Sequence, residues 1–169
     1  MKTKVLRSLL IVIILTINIG CDQISKGIVR QRIRDFEQIS IIKNCVTLTK
    51  VENTGAFLSL GNSLPDAIRF ILLSLVPLVV LGVGIGFLFA KSKISNVTLL
   101  GSAFVIGGGI GNIYDRLVYG SVTDFLHIDF GIFQTGIFNL ADVSIMMGLL
   151  MVFVNSFKTK TVEDTEAMS

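Results

Sequence analysis

An all-α integral membrane protein, four transmembrane helices carrying a small β-rich exocytoplasmic subdomain, is the fold class this sequence predicts, and three observations lead to it. Hydrophobic residues make up 51% of the 169 residues and charged residues 16%, and the mean hydropathy is +0.77, far from the averages of soluble domains. Two runs, Phe70 to Ala90 and Ile94 to Tyr114, carry no charge over the roughly 20 residues that a helix needs to cross a bilayer. Two shorter apolar runs, Ser8 to Cys21 and Val143 to Phe157, flank them.

The short runs reach crossing length only by including polar residues. A first helix must take in Arg7 or extend to Asp22, and a last helix must begin near Phe138 and hold Asp142 in its first turn. The expected helices are therefore about 5–26, 66–90, 94–116 and 138–157, within a single membrane-embedded domain over 1–157. Lys91, Ser92 and Lys93 form a linker so short that the two central helices must be an antiparallel hairpin, with the lysines at the cytoplasmic interface. Both termini, with Lys2, Lys4, Arg7, Lys158 and Lys160, then face the cytoplasm. Arg30, Arg32, Arg34, Lys43 and Lys50 run against that charge rule, because they fall in the first outer segment. The polar tail 158–169 is expected to be disordered.

Outer segments cover about 27–65 and 117–137. In the first, KNCVTLTKV, ENTG and AFLSL read as two short strands joined by a turn at Asn53 and Gly55. In the second, Val122, Leu126, Ile128 and Phe130 alternate with Thr123, His127 and Asp129, and Asp124 interrupts the apolar row.

Composition excludes several classes of function. The formal net charge of +3 is small and the basic residues are scattered, so membrane lipids and not nucleic acid are the expected electrostatic partner. Two cysteines, Cys21 and Cys45, and one histidine, His127, do not supply a zinc cluster, and no metal or cofactor is expected. The start of the chain resembles a secretory signal ending at Cys21, but two complete spans follow, so it reads as an uncleaved helix. The glycines of VIGGGIGN sit inside an apolar run, where Gly107 and Gly111, like Gly82 and Gly86, have the spacing of close helix packing rather than of a phosphate loop. His127 near Asp129 and Ser121 lacks a nucleophile elbow, so a serine triad is set aside.

What remains is a set of acids beside hydrocarbon. Asp124 in VTDFLHIDF and Asp142 in FNLADVSI each stand in apolar sequence, a costly placement unless pairing, hydrogen bonding or protonation offsets the lost hydration. Asn139 and Asp142 also fit a helix-capping pair, and Asp22 with Lys26 fits a helical ion pair. Asp115 and Arg116 end the third expected span as interface residues, while Asn112, one turn earlier, shares the Arg116 face and offers a second donor to a peptide carbonyl.

Taken in order, DQISK from Asp22, ENTGAF from Glu52, GGGIGNIYDRLVYGSVTDF from Gly107 and FNLADVSI from Phe138 resemble lipoprotein signal peptidase, or signal peptidase II, across nearly the whole chain. That resemblance implies an intramembrane aspartic endopeptidase of the bacterial inner membrane, with its site near the outer face. It would cleave diacylglyceryl-modified prolipoproteins just before the lipidated cysteine, working as a monomer. It implies catalytic roles for Asp124 and Asp142. Supporting roles fall on Asp22, Lys26, Asn53, Gly55, Gly108, Asn112, Asp115, Arg116, Asn139 and Ala141. Phe57 stands where the family often has a second alanine, which bears on substrate preference. The reading of a different class is a small transporter or scaffold, but the two central spans lack ionisable groups at mid-membrane.

Overall fold

The computed structural model describes residues 2–56, 63–91 and 94–167. Four of its helices are long and apolar enough to cross a membrane: Lys4–Arg32, Asp66–Ala90, Asn96–Tyr119 and Leu140–Phe157. The first lies within α1 (Lys2–Arg32), and the second is composite. In it α2 (Asp66–Phe70) passes through a π-helical turn, Ile71–Leu75, into α3 (Val76–Ala90). Pro77 sits at the start of α3 and has no N–H to give the carbonyl four residues back, which favours a wider turn just before it.

α4 (Asn96–Tyr119) is the best buried span and packs against α5 (Leu140–Ala167), α1 and α3. Ser95 caps its start, accepting the Thr98 N–H at 3.0 Å, and Gly120, in the left-handed region at φ 76°, ends it. Asp115 and Arg116 therefore lie a turn inside the helix and not at its end, because the helix continues to the glycine that can stop it. Between α3 and α4, Lys91 is exposed, while Ser92 and Lys93 lie outside the described residues. The helical backbone of α5 runs to Ala167, so most of the tail expected to be disordered is helical.

Glycines let α4 sit at the centre. A methyl on Gly107 would lie 2.8 Å from Asn18 Cβ on α1, one on Gly109 would lie 2.9 Å from Leu81 on α3, and one on Gly108 would meet the backbone carbonyl of Ala141 on α5. Gly82 and Gly86 behave otherwise, with open space around both. Spacing alone does not reveal which helix face meets a neighbour, so the expectation of packing holds for Gly107 and Gly111 and not for Gly82 and Gly86.

The three strands form one antiparallel sheet in the order β1 (Gln38–Ile42), β2 (Val46–Asn53), β3 (Val122–Ile128). The hairpin turn falls at 43–45, where Asn44 takes φ 57°, and not at Asn53 and Gly55. Asn53 is instead the last residue of β2, and its side chain oxygen accepts the Gly55 N–H at 3.0 Å. Most of the AFLSL segment lies outside the described residues. In register, Asn53 faces Val122 and Val51 faces Asp124, which brings the end of β2 beside the start of β3.

The packing contrast gives a direct test. Gly108→Ala should lower the thermal unfolding midpoint of the purified protein, since a backbone carbonyl cannot move aside, whereas Gly82→Ala should be neutral or raise stability by about 0.5–1 kcal/mol through helix propensity.

Candidate active site

The site lies where β3 and α5 begin. Asp124 on β3 is buried, and its two oxygens accept from Asn53 Nδ2 at 3.0 Å and Asn139 Nδ2 at 2.6 Å. Asp142, in the first turn of α5, accepts from Asn112 Nδ2 at 2.9 Å and from the Asn139 backbone N–H at 3.1 Å. Its own N–H donates to Asn139 Oδ1 at 2.9 Å. The capping pair is thus real and also part of the site, because Asn139 caps α5 while its amide nitrogen reaches Asp124. One residue joins the two acids.

A second layer fixes the amides. Lys26 Nζ is fully buried and lies 2.8 Å from Asp22 Oδ2, 3.0 Å from Asp115 Oδ2 and 2.9 Å from Asn112 Oδ1. An ammonium is a donor only, so Asn112 must turn its oxygen to Lys26 and its NH2 to Asp142. Asn139 Nδ2 also approaches Asn112 Oδ1, at 3.2 Å. Asp22 Oδ1 accepts the Ala141 N–H at 3.0 Å, tying α1 to α5. Gly108 on α4 lies against Ala141 on α5.

Arg116 Nη2 donates to the Gly55 carbonyl at 3.0 Å, and among the described residues its buried Nε has no partner. Both acids, Asn53, Asn112 and Arg116 line a largely apolar cleft of about 400 Å³ that continues past Pro77, Val105 and Met146. All twelve residues singled out in the sequence therefore gather at this end of the bundle.

Four further residues, Gln23, Arg30, Thr123 and Glu52, join this network without having been singled out as site residues. Gln23 Nε2 donates to Asp22, to Asp115 and to the Gly111 carbonyl at 3.0–3.1 Å. Arg30 Nη2 lies 2.8 Å from Asp115, without the alignment of a hydrogen bond, and its Nε donates to Thr123 Oγ1 at 2.8 Å. Thr123 and Ser121 both donate to Glu52, at 2.8 and 2.6 Å. Arg30 was detectable, because Asp22, Lys26 and Arg30 repeat at the four-residue spacing of one helix face. Cys21 and Cys45 are free thiols.

Burial pushes the Asp124 carboxyl up to about 6, helped by the charge of Asp142 and opposed by the hydrogen bonds from Asn53 and Asn139. Two carboxylates joined through Asn139 and lining an apolar cleft, in a chain with four membrane-length helices, are an arrangement suited to an integral membrane hydrolase.

Comparison with known proteins narrows the class. Residues 12–158 match the family described as Signal peptidase (SPase) II. The lipoprotein signal peptidase of Streptococcus pneumoniae is 36% identical over 152 residues, 90% of this chain and 94% of that protein. That of Maridesulfovibrio salexigens is 31% identical over 151 residues, 88% of this chain and 95% of that protein. The match to the Aquifex aeolicus lipoprotein signal peptidase, 36% identical, spans 65% of each chain. A solved structure of a bacterial membrane enzyme superposes with a TM-score of 0.78 at 21% identity, over 89% of this chain and 88% of that one, and shares the fold. The chain belongs to the signal peptidase II family and is a multi-pass membrane peptidase.

Two outcomes follow from the buried charges. Asp124 is raised from 3.8 to about 6 in the folded protein, so its stabilising contribution is full below 3.8 and is lost as pH rises through about 6. At about 1.4 kcal/mol per unit this amounts to at most about 3 kcal/mol, and Asp124→Asn should flatten that part of the unfolding profile between pH 4 and 7. Lys26→Met should cost about 3–5 kcal/mol in chemical denaturation, since it leaves buried Asp22 without a cation and Asp115 with Arg30 alone.

Proposed function

We propose that Asp124 and Asp142 are a catalytic dyad that hydrolyses the peptide bond before a diacylglyceryl-modified cysteine in prolipoproteins. The observation that carries the reading is Asn139, which bonds to both acids where they line the apolar cleft. An amide carbonyl is a poor electrophile, so attack by water at a useful rate needs one group to take a proton and another to give one. Asp124, with its raised affinity for a proton, holds the proton that the pair shares.

In the first step Asp142 takes a proton from water, whose oxygen bonds to the scissile carbonyl carbon while Asp124 protonates the carbonyl oxygen. In the second, the proton on Asp142 passes to the amide nitrogen, the C–N bond breaks and Asp124 regains its proton from the diol. The products are a signal peptide with a free carboxyl and a lipidated cysteine with a free amine. The unpartnered Arg116 Nε is a donor for the substrate backbone, and the apolar cleft walls suit the acyl chains.

Localisation follows the same reading. The site belongs at the outer face of the bacterial inner membrane, with both termini in the cytoplasm and the protein working as a monomer. Purified protein in lipid should cleave a diacylglyceryl-modified prolipoprotein and spare the unlipidated form. Asp124→Asn and Asp142→Asn should each lower kcat by several orders of magnitude, since an amide accepts no proton from water. Substantial turnover by either variant would overturn the dyad.

A further inference from the structure

Three cations of the first outer segment are left without work by the site. Arg30 is taken up by Asp115, and Lys50 pairs with Asp35 at 2.8 Å. Arg32, Arg34 and Lys43 are exposed, and among the described residues none of them forms an ion pair. They bracket β1, an edge strand exposed at every position, whose Ile39, Ile41 and Ile42 lie bare.

The far end of the sheet extends this surface. Ile42 and Ile128 both pair with Val46, and the Asp129 N–H donates to the Cys45 carbonyl at 2.8 Å, so two turns lie side by side. The second turn reads Phe130, Gly131, Ile132, Phe133 and is closed by the Phe130 N–H on the Phe133 carbonyl at 2.8 Å. Ile132 is fully exposed and both phenylalanines are more than half exposed. Turn tips normally carry Gly, Asn, Asp or Ser, and a bare apolar edge strand invites association unless something covers it.

We infer that β1 and these two turns are an interfacial anchor, seated on the headgroup layer of the bilayer that the four spans cross. Ile41, Ile42, Ile132 and Phe133 dip into the acyl boundary, and Arg32, Arg34 and Lys43 bind anionic lipid phosphates. Charge complementarity favours the lipid, and so does continuity with a bilayer surface. Ile24 and Ile28 are exposed on the last turns of α1, just before Arg32, and Phe36 is exposed just after it. A substrate strand on β1 fits poorly, because β1 pairs with β2 only as far as Thr49 and stops short of Val51, which faces Asp124. The inference rests on the membrane embedding and not on the proposed reaction.

The chain has no tryptophan, so one introduced indole reports without background. Phe133→Trp and Ile41→Trp would be reconstituted separately in nanodiscs with and without phosphatidylglycerol, with Phe87→Trp in α3 as the lipid-facing reference. Acyl-brominated phospholipid should quench positions 133 and 41 at least twofold, and acrylamide should reach them poorly. Arg32→Gln, Arg34→Gln and Lys43→Gln together should abolish any gain in quenching caused by phosphatidylglycerol. Free access of acrylamide with no bromolipid quenching at both positions would place the sheet in water and overturn the anchor. Shielding from both quenchers would mean a protein partner or second copy covers the edge, which also overturns it. Phe133→Trp exchanges one exposed aromatic for another, so a folding defect at position 41 leaves the test intact.

Discussion

The polar interior of this protein depends on one buried ammonium. Lys26 lies between Asp22 and Asp115 and also holds Asn112, joining α1 to α4 at a level where no water need reach. Asp22 in turn accepts an N–H from the first turn of α5. With Arg30 beside Asp115, the set contains two carboxylates and two cations and is neutral as a whole. Neutrality matters more than any one contact, because an unpaired charge here faces a desolvation penalty of several kcal/mol. Such a set adds little to net stability against an apolar replacement, and its effect is on register. The ammonium is matched only when α1 and α4 meet at one height, and Asp22 ties the start of α5 to that level.

Register is then passed to the chemistry through amides. The Lys26 ammonium cannot accept a hydrogen bond, so it dictates which end of Asn112 faces Asp142. Asn139 is fixed in the same way from the other side, since its Oδ1 is occupied by the Asp142 N–H and its Nδ2 is left for Asp124. Each proposed catalytic carboxylate is therefore met by NH groups already aimed at it. In a membrane interior, where lipid is as apolar as the side chains and drives no helix association of its own, these bonds and the close packing of Gly107, Gly108 and Gly109 hold α4 among its neighbours.

The sequence made much of this legible for a simple reason. Hydrocarbon imposes a length and a composition on each span, so the four helices could be read from where charges are missing, and acids in apolar runs advertise themselves. What depended on facing could not be read. The glycine spacing at Gly82 and Gly86 matches that at Gly107 and Gly111, yet only the second pair meets another helix. The hairpin turn went to Asn44 and not to Asn53, because Asn53 is held at the end of β2 by Gly55 and Asp124. Gln23 looks like an ordinary polar residue at a membrane boundary until the register of α1 against α4 is known.

The position of the two acids in their elements has a physical logic of its own. Asp142 stands in the first turn of a span, where free backbone N–H groups and the helix dipole favour a negative charge, and Asp124 stands on a strand that lies outside the spans. A carboxylate placed deeper would lose its water and its helix-start donors together, and one placed higher would be screened and hydrated, with no reason to hold a proton above the usual range. The boundary between sheet and span is the one level at which the two can differ in environment while sharing Asn139. In the proposed reaction that difference allows like groups to take unlike roles.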